Sequence, residues 1–194
     1  MLSKKLNYLD FFKIVGKSKR ILRSGWIRVK IKDPESVAEH SFRVGFLAMV
    51  LSDKLSVVLD KNRLIKMALL HDLAEVITGD IVVERGDIVD IKKRGEKEKM
   101  EEEGIKKIFD KIGQGEEYVS IFHEMTSRIS PEAKIFSQFD KLEMALQALE
   151  YEREQGKDLE EFFMTVSLYI KEPFLKKIFG NILAERPKKI GGNV

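Results

Sequence analysis

The chain contains no cysteine among its 194 residues, which excludes disulfides and thiolate chemistry, as nucleophile or as metal ligand. It also lacks the unbroken apolar stretch of about 18 residues that a bilayer span requires, and its opening MLSKKLNYLDFF has no long apolar core of the signal-peptide kind. We therefore expect a cytoplasmic protein with no membrane partner. Nor is there an excess of one charge: 35 basic and 32 acidic residues leave a formal net charge of +3, with the signs interspersed. That balance lacks the basic stripe of a nucleic-acid binder, so no nucleic-acid polymer is expected as a partner. No G-x-x-x-x-G-K-[ST] loop is present, Gly113-Gln114-Gly115 is too short to cradle a phosphate, and no G-x-S-x-G elbow occurs.

What is present reads as helix nearly everywhere, and the length suits one domain with a sizeable core. Ser36-Val37-Ala38-Glu39 is an S-x-x-E capping box, preceded by Asp33-Pro34, and it opens a segment running to about Leu55. A second helix is expected from Leu59 or Asp60 to about Ile77, with Gly79 as its stop. Arg94 to Phe109 is densely charged and reads as a solvated amphipathic helix. Ser130-Pro131-Glu132 starts a long helix that Gly156 ends, and Asp158 caps a C-terminal helix over about 158–180, interrupted at Pro173. The final KKIGGNV reads as frayed. Only Gly25 to Lys32, GWIRVKIK, alternates with period two as an extended segment does. The expectation is an all-α bundle of about six or seven helices in a single domain spanning 1–194.

The densest chemistry lies in HDLAEVITGD, residues 71–80, directly after the apolar Met67-Ala68-Leu69-Leu70. On a helix of ~100° per residue, with His71 at zero, Glu75 falls near ~40° and Asp72 near ~100°. Ile65, Leu69, Leu70, Leu73 and Val76 fill the other side, so the acidic stripe is expected to face an interior cleft. His40 sits in the first turn of its capped helix, on the side of Val44 and Leu47. Asp140 lies on a stripe with Ala133, Phe136 and Met144. Two histidines and two aspartates on apolar helices need a positive partner, because an unpaired buried carboxylate costs several kcal/mol. A divalent metal is the economical one. Arg or Lys is the alternative, although Lys141, adjacent to Asp140, points about 100° away on a helix.

The order His40, His71-Asp72, Asp140 resembles the H...HD...D signature of HD-domain metal-dependent phosphohydrolases. The longer blocks PESVAEHS, LLHDLAEVITGD and FDKLEMALQALEYE resemble the 5'-deoxynucleotidase subfamily and, with Gly25-Trp26, span residues 25 to 152. This resemblance implies an all-α fold with a metal-site core over about 25–155, a homodimer, and a small-molecule nucleotide as partner. It also implies one divalent transition metal held by His40, His71, Asp72 and Asp140. Two imidazoles and two carboxylates suit Mn, Co, Fe, Ni or Zn better than Ca. Glu75, surplus to that shell, is assigned to orienting and deprotonating the water, and Asp80, by resemblance, to a second catalytic role such as protonating the leaving 5'-oxygen. Residues 81–130 are poorly covered, and IVVERGDIVDIKKRG lacks the proline the subfamily carries shortly after its TGD element.

Substrate recognition is read from GWIRVKIK. If extended, it places Trp26, Arg28 and Lys30 on one face, an aromatic beside cations, as a nucleotide would need. Trp26 stands where the subfamily has a sugar-contacting tryptophan. Some members have an arginine just before it, where this chain has Gly25, and Arg23 or Arg28 is expected to replace it. The resulting expectation is a metal-dependent phosphomonoesterase hydrolysing deoxyribonucleoside 5'-monophosphates. The alternatives are an HD-fold hydrolase of another nucleotide, such as a triphosphohydrolase or cyclic-dinucleotide phosphodiesterase, and a non-catalytic helical adaptor with a structural metal. A two-metal site usually needs more histidines, and with three in all only His123 is to spare; an adaptor has no use for Glu75 and Asp80.

Overall fold

Ser36 does what its spacing predicts: its Oγ accepts the Glu39 N–H at 3.3 Å while Glu39 Oε2 accepts the Ser36 N–H at 2.6 Å. This capping box starts a helix that runs Val37–Leu51 in the computed structural model, which describes residues 6–80 and 91–187. The described helices are α1 (Tyr8–Val15), α2 (Ser24–Arg28), α3 (Val37–Leu51), α4 (Lys61–Leu70), α5 (Glu75–Thr78), α6 (Ile91–Phe109), α7 (Gly115–Ser127), α8 (Pro131–Gln155), α9 (Glu160–Tyr169) and α10 (Pro173–Ala184). The all-α expectation holds. Segment 81–90, where the expected proline is missing, and the KKIGGNV tail from 188 onward lie outside the described residues.

The axis of the molecule is α8. Ser130 Oγ accepts the Ala133 N–H at 3.1 Å, Pro131 sits in the first turn where its missing N–H is harmless, and Gly156 ends the helix with φ 61°. Its buried residues, among them Ala133, Phe136, Phe139, Leu142, Ala145 and Ala148, occupy most of its circumference, so it is covered by α3, α4, α7, α9 and α10. Phe139 and Leu142 are fully buried, and Phe139→Ala would cost about 3–5 kcal/mol through lost transfer energy and a cavity. An aspartate and a glutamate on such a helix are therefore held inside by the apolar residues around them.

Several local expectations are corrected. GWIRVKIK is not extended: Ser24–Arg28 is helical, Lys30 and Asp33 take φ of 57° and 50°, and the chain doubles back. The extended pairing lies earlier, an isolated bridge between Leu22 and Ser36, with Arg23 N–H on Glu35 C=O at 3.0 Å and Val37 N–H on Ile21 C=O at 2.8 Å. Alternation alone makes no strand without a partner ladder, and Trp26 gains more by entering the core. The helix expected to reach Ile77 ends at Leu70, and a tight turn intervenes before α5. Leu69, expected to be buried, is 57% exposed. The helices α1 and α7 were not foreseen, and the C-terminal helix splits at Pro173 into α9 and α10, so the described elements exceed six or seven.

Candidate metal centre

Three segments converge. The first turn of α3 supplies His40, the turn after α4 supplies His71 and Asp72, and the middle of α8 supplies Asp140. His40 Nε2 lies 3.2 Å from Asp140 Oδ1 and 3.9 Å from Asp72 Oδ2, and His71 Nε2 lies 3.1 Å from the same Asp72 oxygen. Ligand atoms of His40, His71 and Asp140 lie within 4.8 Å of one another. Past Leu70 the backbone tightens to i→i+3 bonds, Leu73 N–H on Leu70 C=O at 3.0 Å and Glu75 N–H on Asp72 C=O at 3.1 Å, so helix arithmetic no longer sets these directions.

The tautomers follow from the partners. Nδ1 of His71 meets the Ala68 carbonyl at 2.9 Å, and a carbonyl only accepts, so Nδ1 carries the proton. Its Nε2 is then the nitrogen turned inward, buried, without a hydrogen bond and 3.1 Å from Asp72 Oδ2. Nδ1 of His40 bonds the Glu143 carboxylate, which turns Nε2 inward onto Asp140 Oδ1 at 3.2 Å; burial and Arg23 push this imidazole down, but Glu143 and Asp140 outweigh them and raise it to about 9. Two inward imidazole nitrogens beside two carboxylates fit a divalent transition metal, which would take the place of their protons, since two nitrogen and two oxygen donors suit Mn, Co, Fe, Ni or Zn.

Counter-charges stand behind the carboxylates. The Arg23 guanidinium bonds Asp72 Oδ2, and Lys141 Nζ bonds Asp140 Oδ2 at 2.7 Å. The second corrects the expectation for Lys141: neighbouring Cα–Cβ bonds diverge, but its four-carbon stem curls back. Burial pushes Asp72 up, yet His71 and Arg23 outweigh it and hold the carboxyl well below the usual carboxylate range. Asp140 is likewise held low, with burial opposed by Lys141 and His40.

Glu75 behaves differently. It opens α5, is 2% exposed, and its Oε2 is buried without a hydrogen-bond partner. Burial first, then the charges of Asp72 and Asp80, pushes its carboxyl up to about 10. Asp80 sits just outside, with Oδ2 accepting the Ser24 N–H at 2.6 Å and its C=O accepting the Ser24 hydroxyl at 2.9 Å. It thereby pins the start of α2 beside Arg23. Helix α6 closes this side: a Cβ on Gly104 would stand 3.2 Å from Ala74 Cβ, a tight contact that glycine avoids. Lys97, two turns back from Gly104 along the helix, pairs with Glu101 at 3.4 Å and lies within electrostatic reach of Glu75.

Trp26 is a correction. It is 2% exposed, stacks on Phe162 with centroids 4.3 Å apart, meets Tyr151 edge-on at 5.2 Å, and donates its Nε1–H to Glu35 Oε1 at 2.9 Å. Contact with a sugar needs an open indole, and burial against Phe162 and Tyr151 places this one behind the site. Of the two cations expected to replace the arginine absent at Gly25, Arg23 is at the site, whereas Arg28 pairs with Glu161 at 2.6 Å on the surface. His123 is exposed, away from the cluster. Sequence reasoning missed Glu35 and Glu143. The available signal for Glu143 was its place three residues after Asp140, on a helix with little solvent-facing surface.

A family model described as HD domain matches residues 15–182. Among curated proteins, the 5'-deoxynucleotidase HDDC2 of Danio rerio is 36% identical over 188 residues, 95% of this chain and 90% of its own length. The human protein of the same name is 34% identical over 94% of this chain and 87% of its own. Among solved structures, a Pyrococcus horikoshii protein aligns with a TM-score of 0.76 and 32% identity over 92% of this chain and 99% of its own.

Proposed function

The chain belongs to the HD domain family, and from that premise we propose that it is a metal-dependent phosphomonoesterase that hydrolyses deoxyribonucleoside 5'-monophosphates to deoxynucleoside and phosphate. The observation that carries this reading is the partnerless, buried Nε2 of His71, aimed with His40 Nε2 at Asp72 and Asp140 beside a surplus buried glutamate. His40, His71, Asp72 and Asp140 would hold one divalent transition metal. Such an ion, when bound, supplies Lewis-acid polarisation of the phosphoryl group and a more acidic water.

The chain's own groups do the rest. Glu75 Oε2 takes the proton of the attacking water, its buried position making it a stronger base than a surface carboxylate. Beside a divalent cation the same carboxyl ionises more readily than in the metal-free fold. Arg23, one N–H on Asp72, keeps other donors of its guanidinium for a phosphoryl oxygen. Asp80, fixed by Ser24, is the group that relays to the departing 5'-oxygen the proton Glu75 has taken from the water. Trp26 serves indirectly, through Glu35 and the packing behind His40. The substrate class is supported by relatives that carry the name 5'-deoxynucleotidase at 34–36% identity.

A single domain over 1–194, a cytoplasmic location, where free deoxynucleotides are met, and a homodimer belong to the same proposal. An exposed apolar stripe on α3, Phe42, Phe46, Met49 and Val50, gives a second copy something to cover. Among the described residues no helix is long and apolar enough to cross a membrane. The test is phosphate release over a panel of 5'-deoxynucleotides, 5'-ribonucleotides, 3'-monophosphates, nucleoside triphosphates and cyclic dinucleotides. All four common 5'-deoxynucleotides should be cleaved, ribonucleotides more slowly; cleavage of triphosphates or cyclic dinucleotides alone would replace the proposal with another hydrolase of this fold.

A further inference from the structure

Of the two histidines turned toward the centre, only His40 has its outer nitrogen against carboxylates. Its Nδ1 bonds Glu143 Oε2 and lies 3.9 Å from Glu35 Oε1, where His71 uses the Ala68 carbonyl. Glu143 is 0% exposed, one turn along α8 from Asp140. A buried carboxylate needs compensation, and Glu143 has it on both sides: Arg43 Nε donates to its Oε1 at 2.9 Å, opposite the imidazole. Arg43 is itself anchored by Glu150 at 2.7 and 2.8 Å and by Gln147 at 2.5 Å. Glu35 lacks such a cation among these contacts and is held by the Trp26 indole N–H at 2.9 Å.

We infer that Glu143 is a positioning residue for the metal centre: it holds a proton of His40 on Nδ1, turns Nε2 toward Asp72 and Asp140 as the nitrogen for the metal, and through its Arg43-anchored charge makes His40 the stronger-binding imidazole. This rests on the metal reading given above. A carbonyl orients an imidazole but lends it little charge, whereas a carboxylate does both and raises the basicity of the ligating nitrogen. The rival reading takes Glu35, His40 and Glu143, whose ligand atoms also lie within 4.8 Å of one another, as a second cation site. That would require Nδ1 to surrender its proton, with Glu143 Oε1 already occupied by Arg43 and Glu35 Oε1 by Trp26. The three groups fit a support for His40 better than a site of their own.

Glu143→Gln tests the inference, because the amide oxygen still accepts from Nδ1 while the charge is gone. Affinity for Co(II), followed by its visible absorption in competition with a chelator, should fall about 10- to 100-fold. At saturating metal the KM for a deoxynucleotide should stay at the wild-type value. Glu143→Asp, which keeps the charge, should recover part of the affinity. Independently of any variant, imidazole nitrogen shifts of the ¹⁵N-histidine-labelled wild type loaded with Zn(II) should show His40 protonated on Nδ1 and metal-bound through Nε2. Wild-type Co(II) affinity in Glu143→Gln, Zn(II) bound through His40 Nδ1, or two tight equivalents of Co(II) per wild-type chain would each overturn the inference while leaving the metal centre standing. A wild type that binds no Co(II) would overturn the centre and the inference together.

Discussion

Replacing Glu75 by glutamine keeps the shape of a side chain that is 2% exposed and removes its ionisation. In the metal-free fold, burial and then Asp72 and Asp80 push this carboxyl from 4.5 up to about 10. The native state therefore keeps a proton that the unfolded chain releases above about pH 4.5. The sign follows: the folded form binds more protons, so this group's contribution is complete below the unfolded value and is lost as pH rises toward the folded one. Each pH unit in that window costs about 1.4 kcal/mol, so on the order of 3 kcal/mol is gone by about pH 7. Glutamine has no such loss and is close in shape to the protonated acid. At about 2–4 °C per kcal/mol for a chain of this size, the metal-free variant should melt several degrees above metal-free wild type near pH 8 and much closer to it near pH 5. Thermal melts after chelation at the two pH values supply the comparison, and phosphate release with metal restored should fall about 100- to 10,000-fold. A variant that melts below wild type near pH 8, or a gap that does not grow with pH, would refute the electrostatic argument; wild-type turnover with metal bound would refute the catalytic one.

Other outcomes follow from the same geometry. His71→Ala and Asp140→Ala should lose both the near-stoichiometric metal and the phosphatase activity, checked by elemental analysis of chromatographed protein; full metal occupancy in both would remove the ligand assignment. Arg23→Met leaves Asp72 without its guanidinium and should lower kcat/KM for deoxynucleotides about 10- to 100-fold, the worth of a hydrogen bond to a charged group. Trp26→Ala empties a site between Phe162 and Tyr151 and strands Glu35, so it should cost about 3–5 kcal/mol in denaturant unfolding. A fully stable Trp26→Ala protein with altered sugar preference would instead return the indole to the substrate wall.

Local chemistry made much of this molecule readable. The Ser36 and Glu39 capping box, Pro131 in the first turn of α8 and Gly156 at its end each act within a few residues, and each was placed correctly from the chain alone. His40, His71 and Asp140 were legible because polar side chains on apolar helices announce a shared interior partner. Direction was harder to read. The break after Leu70 carries no proline or glycine, so helical arithmetic ran on through a turn that in fact aims His71 and Asp72. Trp26 looked exposed because period-two alternation is a local signal, whereas its burial depends on Phe162 and Tyr151, more than a hundred residues away. The same distance hid Glu143, whose meaning appears only when α3 brings His40 and Arg43 to α8.

The central claim is that this chain cleaves deoxynucleoside 5'-monophosphates through a metal held by His40, His71, Asp72 and Asp140. Its most direct test is dAMP hydrolysis by one preparation, assayed as purified, after chelation, and after a divalent transition metal is restored, with metal content measured at each stage. Phosphate release should vanish on chelation and return in proportion to about one metal per chain, as a single four-ligand site requires. Release that persists in metal-free protein, or no release from dAMP by protein carrying a full complement of Mn, Co, Fe, Ni or Zn, would contradict the account.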